Sequence, residues 1–397
     1  MRGGKVKKSK SQKAEKPRRQ DEETLPEVLR ESRTRVVFGA GALDRLGAVA
    51  CDEGATCVLL VTDPGIVAAG HVDRALVSLR SAGLNVTVFD GVKENPTTEH
   101  VDAGVRVARE AEIDFLIGLG GGSSMDCAKG INFLLNGGGR MQDYWGVGKA
   151  AGPMLPMIAV PTTAGTGSEA QSFALITDPA THQKMACGDK KAACRAAVLD
   201  PDLIATAPRP VAAATGIDAV AHAIETAGCT RRTDTSRALS RAAWARLEPA
   251  FETAYRKPKD AAAREKMLIG AHLAGAAIEH AMLGAAHACA NPLTARYGIV
   301  HGVAVGVLLP HVIRFNAVDG DNPYADLCED AEELARRVEA MLDAAGLPKA
   351  LKDCDCGVES GALHDLSAVA AQQWTAKFNP REVAEREMME LFRAAIG

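Results

Sequence analysis

The stretch DFLIGLGGGSSMDCAKGI, residues 114–131, reads as a buried strand, a glycine turn and the start of a helix. Gly120, Gly121 and Gly122 remove every Cβ where the chain turns, so backbone N–H groups can approach a pyrophosphate at the helix N-terminus. Ser123 or Ser124 is the expected N-cap, with Asp126 in the first turn. A glycine run that serves tight packing alone is the competing reading, because this is not the GxGxxG fingerprint after a first strand. Working outward, RVVFG (35–39), ATCVLLVTD (55–63), NVTVFD (85–90) and MLPMIAVPTT (154–163) are further short apolar, β-branched runs. Helical stretches such as GHVDRALVSLRSAG (70–83) and TTEHVDAGVRVAREAE (97–112) separate them. This alternation predicts an α/β domain over residues 34–204, with a parallel sheet covered by helices on both faces.

Two more features of that half suit a dinucleotide. The strand MLPMIAV runs into PTTAGTGSE (161–169), where Thr162, Thr163 and Thr166 place hydroxyls beside Gly165 and Gly167. Asp63 ends the run VLLVTD and could accept hydrogen bonds from a ribose diol and repel a 2′-phosphate; equally, it could simply cap the turn before Pro64.

After Ile204 the character changes. VAAATGIDAVAHAIETAG (211–228), RALSRAAWARLEPAFETAYR (237–256), the long run 261–290 and YADLCEDAEELARRVEAMLDAAG (324–346) are alanine-rich and strand-poor, which predicts an all-helical domain over 205–397. The prolines of DPDLIATAPRP (200–210) mark the boundary. Within this half, Asp218 and His222 stand at i, i+4, so on a helix both side chains leave one face. His287 falls in a second helical run and His301 in the glycine-flanked turn expected to end it. One carboxylate and three imidazoles suit a divalent transition metal, Fe²⁺ or Zn²⁺, and an open coordination position would make it a Lewis acid. Three unrelated histidines are the plain alternative. Six of the ten histidines lie between His222 and His311, and that clustering weighs against it. A cleft between the two domains is where metal and glycine turns would meet.

Composition bounds the rest. A chain of 397 residues holds about two domains. Aromatics are only 4%, so Ala, Leu, Val and Ile carry the packing. The ten cysteines form no CxxC pair, which reads as reduced thiols of a cytoplasmic protein. There is no 18-residue apolar run, so no membrane span is expected. Net charge is −4, yet residues 1–19 hold nine Lys/Arg against Glu15 alone. That segment lacks the apolar core of a secretory signal; it reads as a solvated, disordered tail over 1–33, with a basic arm for an anionic partner as the alternative and no nucleic-acid function inferred.

Together these motifs resemble the iron-containing (group III) alcohol dehydrogenases over residues 34–397. The resemblance is carried by FGAGALDRLG (38–47), LLVTDPG (59–65), KENPTTEHV (93–101), the glycine turn, PTTAGTGSEA (161–170), the Lys184 region, TGIDAVAHAIE (215–225), LGAAHACANPL (283–293), HGVAVGVLLPHVIRFN (301–316) and FNPREV (378–383). It implies that Asp218, His222, His287 and His301 are the metal ligands. It also implies that Asp63, Asn95, Gly121, Gly122, Thr163, Thr166 and Lys184 line the dinucleotide, with Asp63 favouring NAD over NADP; Ser123 and Thr162 join them from the reading of the two glycine loops. A homo-oligomer, with dimers paired through the first strand region, is implied as well.

The chain departs from that pattern in three places. Asn291 stands where the family usually has a histidine that looks like a proton relay, and Asn cannot titrate near neutral pH. His280 could substitute for it, although a helix-face residue without that role is the expectation. Ile278 replaces a commonly aromatic pocket residue, and Ser124 a proline. The expected function is metal-dependent, NAD(H)-linked interconversion of a primary alcohol and its aldehyde. A hydroxyacid–oxoacid transhydrogenase on the same fold, a dehydroquinate-synthase-like lyase and, given Asn291, a non-catalytic binding protein are the alternatives.

Overall fold

The computed structural model describes Leu29 and residues 33–397, apart from 182, 319, 355–357 and 359; nearly all of the basic N-terminal segment lies outside the described residues. Its strands are β1 (Arg35–Phe38), β2 (Cys57–Val61), β3 (Asn85–Phe89), β4 (Phe115–Gly120), β5 (Gly146–Val147), β6 (Met157–Pro161), β7 (Phe173–Thr177), β8 (Lys184–Gly188) and β9 (Ala196–Leu199). Six of them form one sheet in the order β1-β9-β6-β4-β2-β3. Every pairing in it is parallel. Side chains alternate between its two faces: Val58 and Leu60 pack on one, Leu59 and Val61 on the other, and all four are buried. The helices that cover those faces are α1 (Leu46–Asp52), α2 (Pro64–Ala68), α3 (His71–Ser81), α4 (Thr98–Glu110) and α5 (Gly122–Gly137).

The parallel α/β sheet is as the sequence predicts, with two additions. β9, sequence AAVL, inserts between β1 and β6 and ties the first strand to the rest. It is four residues long and has a single β-branched side chain, too little to stand out as a strand. A second, three-stranded sheet, β5-β8-β7, contains an antiparallel β7–β8 pair that the motif reading left unassigned.

Helices make up the remainder: α6 (Pro201–Ile204), α7 (Arg209–Gly228), α8 (Asp234–Arg256), α9 (Ala261–His280), α10 (Ala285–Tyr297), α11 (His301–Asn316), α12 (Ala331–Ala345), α13 (Leu363–Ala371) and α14 (Glu385–Ile396). α7 begins with Pro210 in its first turn, where a missing N–H costs nothing. The helical run 261–290 is divided, because the chain breaks after His280 and α10 leaves at 104° to α9. One expectation needs correction: His301 does not sit in a turn; it is the first residue of α11.

The two halves are clamped along one face of α9. Gly167, at φ +61, lies against Gly275 so closely that a Cβ on either would come within 2.6 Å of the other's backbone. One turn before that contact His272 Nδ1 meets Glu169 Oε1 at 3.1 Å, and one turn after it Glu279 accepts the Ser172 N–H at 3.0 Å. The loop after β6 is thereby fixed to the helical half.

Candidate metal centre and dinucleotide cleft

Asp218 and His222 share one face of α7, His287 is the third residue of α10, and His301 opens α11. The Nε2 atoms of the three histidines lie 3.5, 3.3 and 3.9 Å from Asp218 Oδ1, in the order His222, His287, His301. Ligand atoms of Asp218, His222 and His287 are all within 4.8 Å of one another. Asp218 Oδ1 and His287 Nε2 are buried, and neither has a hydrogen-bond partner. Two such atoms cost stability when nothing meets them, and a cation at their common centre removes that cost, so the residues fit a divalent metal. The His301 side chain is 27% exposed, against 7% or less for the other three, so solvent reaches the cluster from its side. The close approach of α11 to α7 depends on Gly302, where a Cβ would sit 1.9 Å from the Ala214 carbonyl oxygen.

The charges are strongly coupled. Burial opposes ionisation of Asp218, but the surrounding imidazoles outweigh it and hold the carboxyl well below the usual carboxylate range. Burial pushes His222 down, and His301 down to about 3. His287 moves the other way: the Glu225 and Asp218 carboxylates overcome its burial and raise it.

Glu225 is the residue that the motif reading quoted but did not use. It lies three residues after His222, on the face that carries Asp218. Its Oε2 meets His287 Nδ1 in a short hydrogen bond, and its Oε1 accepts the Ala286 N–H at 2.8 Å. It therefore orients the imidazole with Nε2 toward the centre and caps the helix that carries it. Asn379, in the FNPREV stretch, accepts the preceding Ala285 N–H at 3.2 Å and pairs with Asn316 at 2.7 Å. Asn291, one turn beyond His287, donates through Nδ2 to Gln373 Oε1 at 3.0 Å. His280 is exposed at the end of α9. Ile278 is buried with Cys229, Ala281, Met282 and Phe378.

The dinucleotide candidates meet at the ends of β2, β4 and β6. Asp63 caps α2, accepting from Gly65 N at 2.9 Å and Ile66 N at 3.2 Å, while its Oδ2 takes the Ser124 hydroxyl at 3.1 Å. Gly121, not a serine, occupies the N-cap of α5, and no side chain caps that helix. The serines are diverted: Ser124 to Asp63, and Ser123 to the Asn95 N–H at 3.2 Å. The first N–H groups of α5 are thus left for an anion. Asp126 is not in the first turn either; it is buried, accepts from Ser168 Oγ at 2.6 Å and Leu175 N at 3.2 Å, and keeps its charge from the helix mouth. Gly122 faces Thr166, whose side chain a Cβ would meet at 2.8 Å, and Thr163 lies beside Gly121. Thr162 is buried and pairs its N–H with the Gly120 carbonyl at 3.0 Å. Lys184 donates to Asn95 Oδ1 at 3.1 Å; burial lowers its pKa, opposed by Asp126, Asp218 and Glu94. The Asp218 charge acts on Lys184 and the Lys184 charge on His301, so the Lys184–Asn95 pair lies near the Asp218 cluster.

The family model for iron-containing alcohol dehydrogenases matches residues 33–201, and the model for the C-terminal part of the same family matches residues 212–396. The chain belongs to the iron-containing alcohol dehydrogenases. It is 35% identical over 369 residues to alcohol dehydrogenase 4 of Schizosaccharomyces pombe, covering 91% of this chain and 87% of the relative. It is also 35% identical to the 1,3-propanediol dehydrogenase of Citrobacter freundii, over 90% of this chain and 96% of the relative. The crystal structure of a 1,3-propanediol oxidoreductase superposes with a TM-score of 0.87 at 32% identity, covering 91% of this chain and 97% of the other. Sulfoacetaldehyde reductase from Bifidobacterium kashiwanohense, solved in complex with NAD+, gives 0.84 at 26% identity, with 92% and 98% covered. This iron-type alcohol dehydrogenase therefore has the fold and the enzyme class that its motifs imply, and the match stands against the lyase alternative.

Proposed function

We propose that this enzyme interconverts a primary alcohol and its aldehyde with NAD(H), using Fe²⁺ held by Asp218, His222, His287 and His301. The observation that carries the reading is the convergence of three Nε2 atoms on the unpartnered Asp218 Oδ1; the uncapped start of α5 supports the dinucleotide part of it. When bound, the metal would act as a Lewis acid on the substrate oxygen, and the dinucleotide would supply or accept the hydride. The chain's own part is to bind and orient. Gly121 and Gly122 let the backbone N–H groups of α5 approach the pyrophosphate, with Thr163 and Thr166 alongside. Asp63 would meet the ribose diol and disfavour a 2′-phosphate, and the Lys184–Asn95 pair would stand beside the bound dinucleotide. Glu225 keeps the His287 proton on Nδ1 so that Nε2 is free. Iron is preferred to zinc on the family match alone, since carboxylate with imidazole suits both.

Two further parts of the reading concern context. β1 is an edge strand of the main sheet, which supports dimerisation through its open side. Cys51, Cys57, Cys127, Cys187, Cys194, Cys229, Cys289 and Cys328 are free thiols, and no single described helix is long and apolar enough to cross a membrane, which supports a cytoplasmic location. Elemental analysis of purified protein, then an NADH-linked assay across primary aldehydes, tests the function. Iron at one per chain with activity lost on chelation is expected; activity indifferent to metal removal would overturn it. Running the assay with catalytic NAD and an added oxoacid identifies a transhydrogenase if that branch applies.

A further inference from the structure

Asn291 and Gln373 form a pair of amides whose orientation can be read from their surroundings. Gln373 Nε2 reaches the Val369 carbonyl oxygen one turn back at 3.4 Å, and a carbonyl can only accept. The Gln373 amide therefore presents Oε1 to its other neighbour, Asn291 Nδ2, at 3.0 Å. That contact in turn fixes Asn291, so that Nδ2 is consumed and Oδ1 is turned away from Gln373. Among the described residues, no protein group donates to Asn291 Oδ1. Asn291 stands four residues after His287 on α10, on the helix face that directs His287 toward the metal centre. Next to Gln373 in the chain, Trp374 stacks on Phe173 at 5.7 Å and meets Phe378 edge-on at 6.3 Å, and Phe378 packs with Ile278.

We propose that Gln373 is a positioning residue that locks Asn291 with its carbonyl oxygen toward the substrate, making the site an acceptor-only clamp that prefers an alcohol, which donates an O–H, over an aldehyde, which cannot. This deepens the alcohol–aldehyde reading and rests on it. An aldehyde oxygen meets the Asn291 oxygen lone pair to lone pair, whereas a hydroxyl group satisfies it. Replacing Gln373 by an apolar residue of similar size frees the amide to rotate, and Nδ2 then becomes available to the aldehyde.

The test compares butan-1-ol and butanal in Gln373→Leu, Gln373→Glu, Asn291→Ala and the Asn291→Ala/Gln373→Leu double variant. With one hydrogen bond exchanged, the ratio of the butanal KM to the butan-1-ol KM should fall about 3- to 10-fold in Gln373→Leu. Gln373→Glu, still an acceptor toward Nδ2, should restore the wild-type ratio. In the Asn291→Ala background Gln373→Leu should leave the ratio unchanged. A ratio within twofold of wild type in Gln373→Leu, an equal fall in Gln373→Glu, or the same fall without Asn291 would overturn the proposal, because a merely structural Gln373 moves both KM values together. If NADH-linked turnover is absent altogether, the parent reading fails instead, and calorimetric dissociation constants for the same two ligands still decide whether the pair discriminates.

Discussion

The most informative single change is Glu225→Gln. The wild-type carboxylate has two clients, the Ala286 N–H on Oε1 at 2.8 Å and His287 Nδ1 on Oε2. Both clients donate, and a carboxylate accepts at both oxygens. A glutamine cannot, since one of its ends is an NH₂ group. If its oxygen stays on Ala286, the NH₂ faces Nδ1 and drives the imidazole proton to Nε2, the atom that must be bare to bind a metal. If it flips, the NH₂ collides with the Ala286 N–H and α10 loses a cap. Loss of an orienting carboxylate behind a histidine ligand costs about 10- to 100-fold in metal affinity. One charge-assisted hydrogen bond is worth about 1.5–3 kcal/mol, or roughly 10- to 150-fold, so the two routes agree on a loss near 30-fold.

The assay is competition between metal-free enzyme and a chelator of known affinity, run with Fe²⁺ under anaerobic conditions and repeated with Zn²⁺. The pH dependence supplies a second, independent signature. Without metal, Glu225 and Asp218 raise the His287 pKa above its ordinary value, so near neutrality His287 carries a proton that ligation must expel. Wild-type affinity should therefore climb as pH rises from 6.5 toward 8.5, and the climb should flatten in Glu225→Gln, which removes one of the carboxylates that hold the proton. In the metal-free protein the sign follows from the same shift. The stability lent by the Glu225–His287 pair is complete below the unfolded pKa of about 6.5 and is lost as pH rises through the higher folded value. A Glu225→Gln enzyme that binds metal within twofold of wild type, with an unaltered pH slope, would refute the reasoning.

Four further outcomes follow from named contacts. Gly275→Ala places a Cβ 2.6 Å from the Gly167 Cα and should lower stability by about 1–3 kcal/mol, read as a fall in Tm by circular dichroism. Gly122→Ala fills the space against Thr166 and should weaken NADH binding at least about tenfold by fluorescence titration, the cost of roughly one lost backbone contact to phosphate, while metal content stays at the wild-type level. Asp63→Ser keeps an acceptor for the cap of α2 but removes the charge and the Ser124 contact; the kcat/KM for NADP should rise about tenfold or more from lost like-charge repulsion, with a small fall in Tm worth about one hydrogen bond. Removing the metal with a chelator should lower Tm, because the folded state then loses a ligand that the unfolded chain does not bind; an unchanged Tm would argue that no cation stabilises the cluster.

How much of this was legible in the sequence depends on whether a residue acts through its neighbours in the chain or through distant ones. The i, i+4 spacing of Asp218 and His222 is a local fact, and the helix preserves it. The strand–glycine–helix reading of 114–131 survives for the same reason, but the caps do not. Ser124 prefers Asp63, 61 residues away, and Asp126 prefers Ser168 in the clamped loop and Leu175 in β7, so both leave the roles that local propensity assigns them. β9 was invisible because its burial between β1 and β6, not its composition, makes it a strand. Glu225 was within reach of periodicity, standing at i+7 from Asp218. Gln373 was not, since 82 residues separate it from Asn291 and no pattern joins them.

The cluster of Asp218, His222, His287 and His301 shows why four candidate ligands do not by themselves specify a site. Two of them, Asp218 and His222, are placed by a single long helix, whereas His287 depends on α10, which starts abruptly after the break at 281–284. A helix that turns away so sharply exposes its first N–H groups inside the protein, and each would cost about 1–3 kcal/mol if unmet. Asn379 meets Ala285 and Glu225 meets Ala286, and the same Glu225 then fixes the ring of His287 at the next position. The late FNPREV stretch thus acts on the placement of His287 from nearly a hundred residues away without touching it. The break in the helix is what makes the centre possible: a continuous helix through 261–297 would satisfy its own backbone and leave no reason for Glu225 or Asn379 to gather there. His287 would then be carried along the axis of α9, away from Asp218. The site's geometry is set by how a helix start is capped, and the ligand set inherits it.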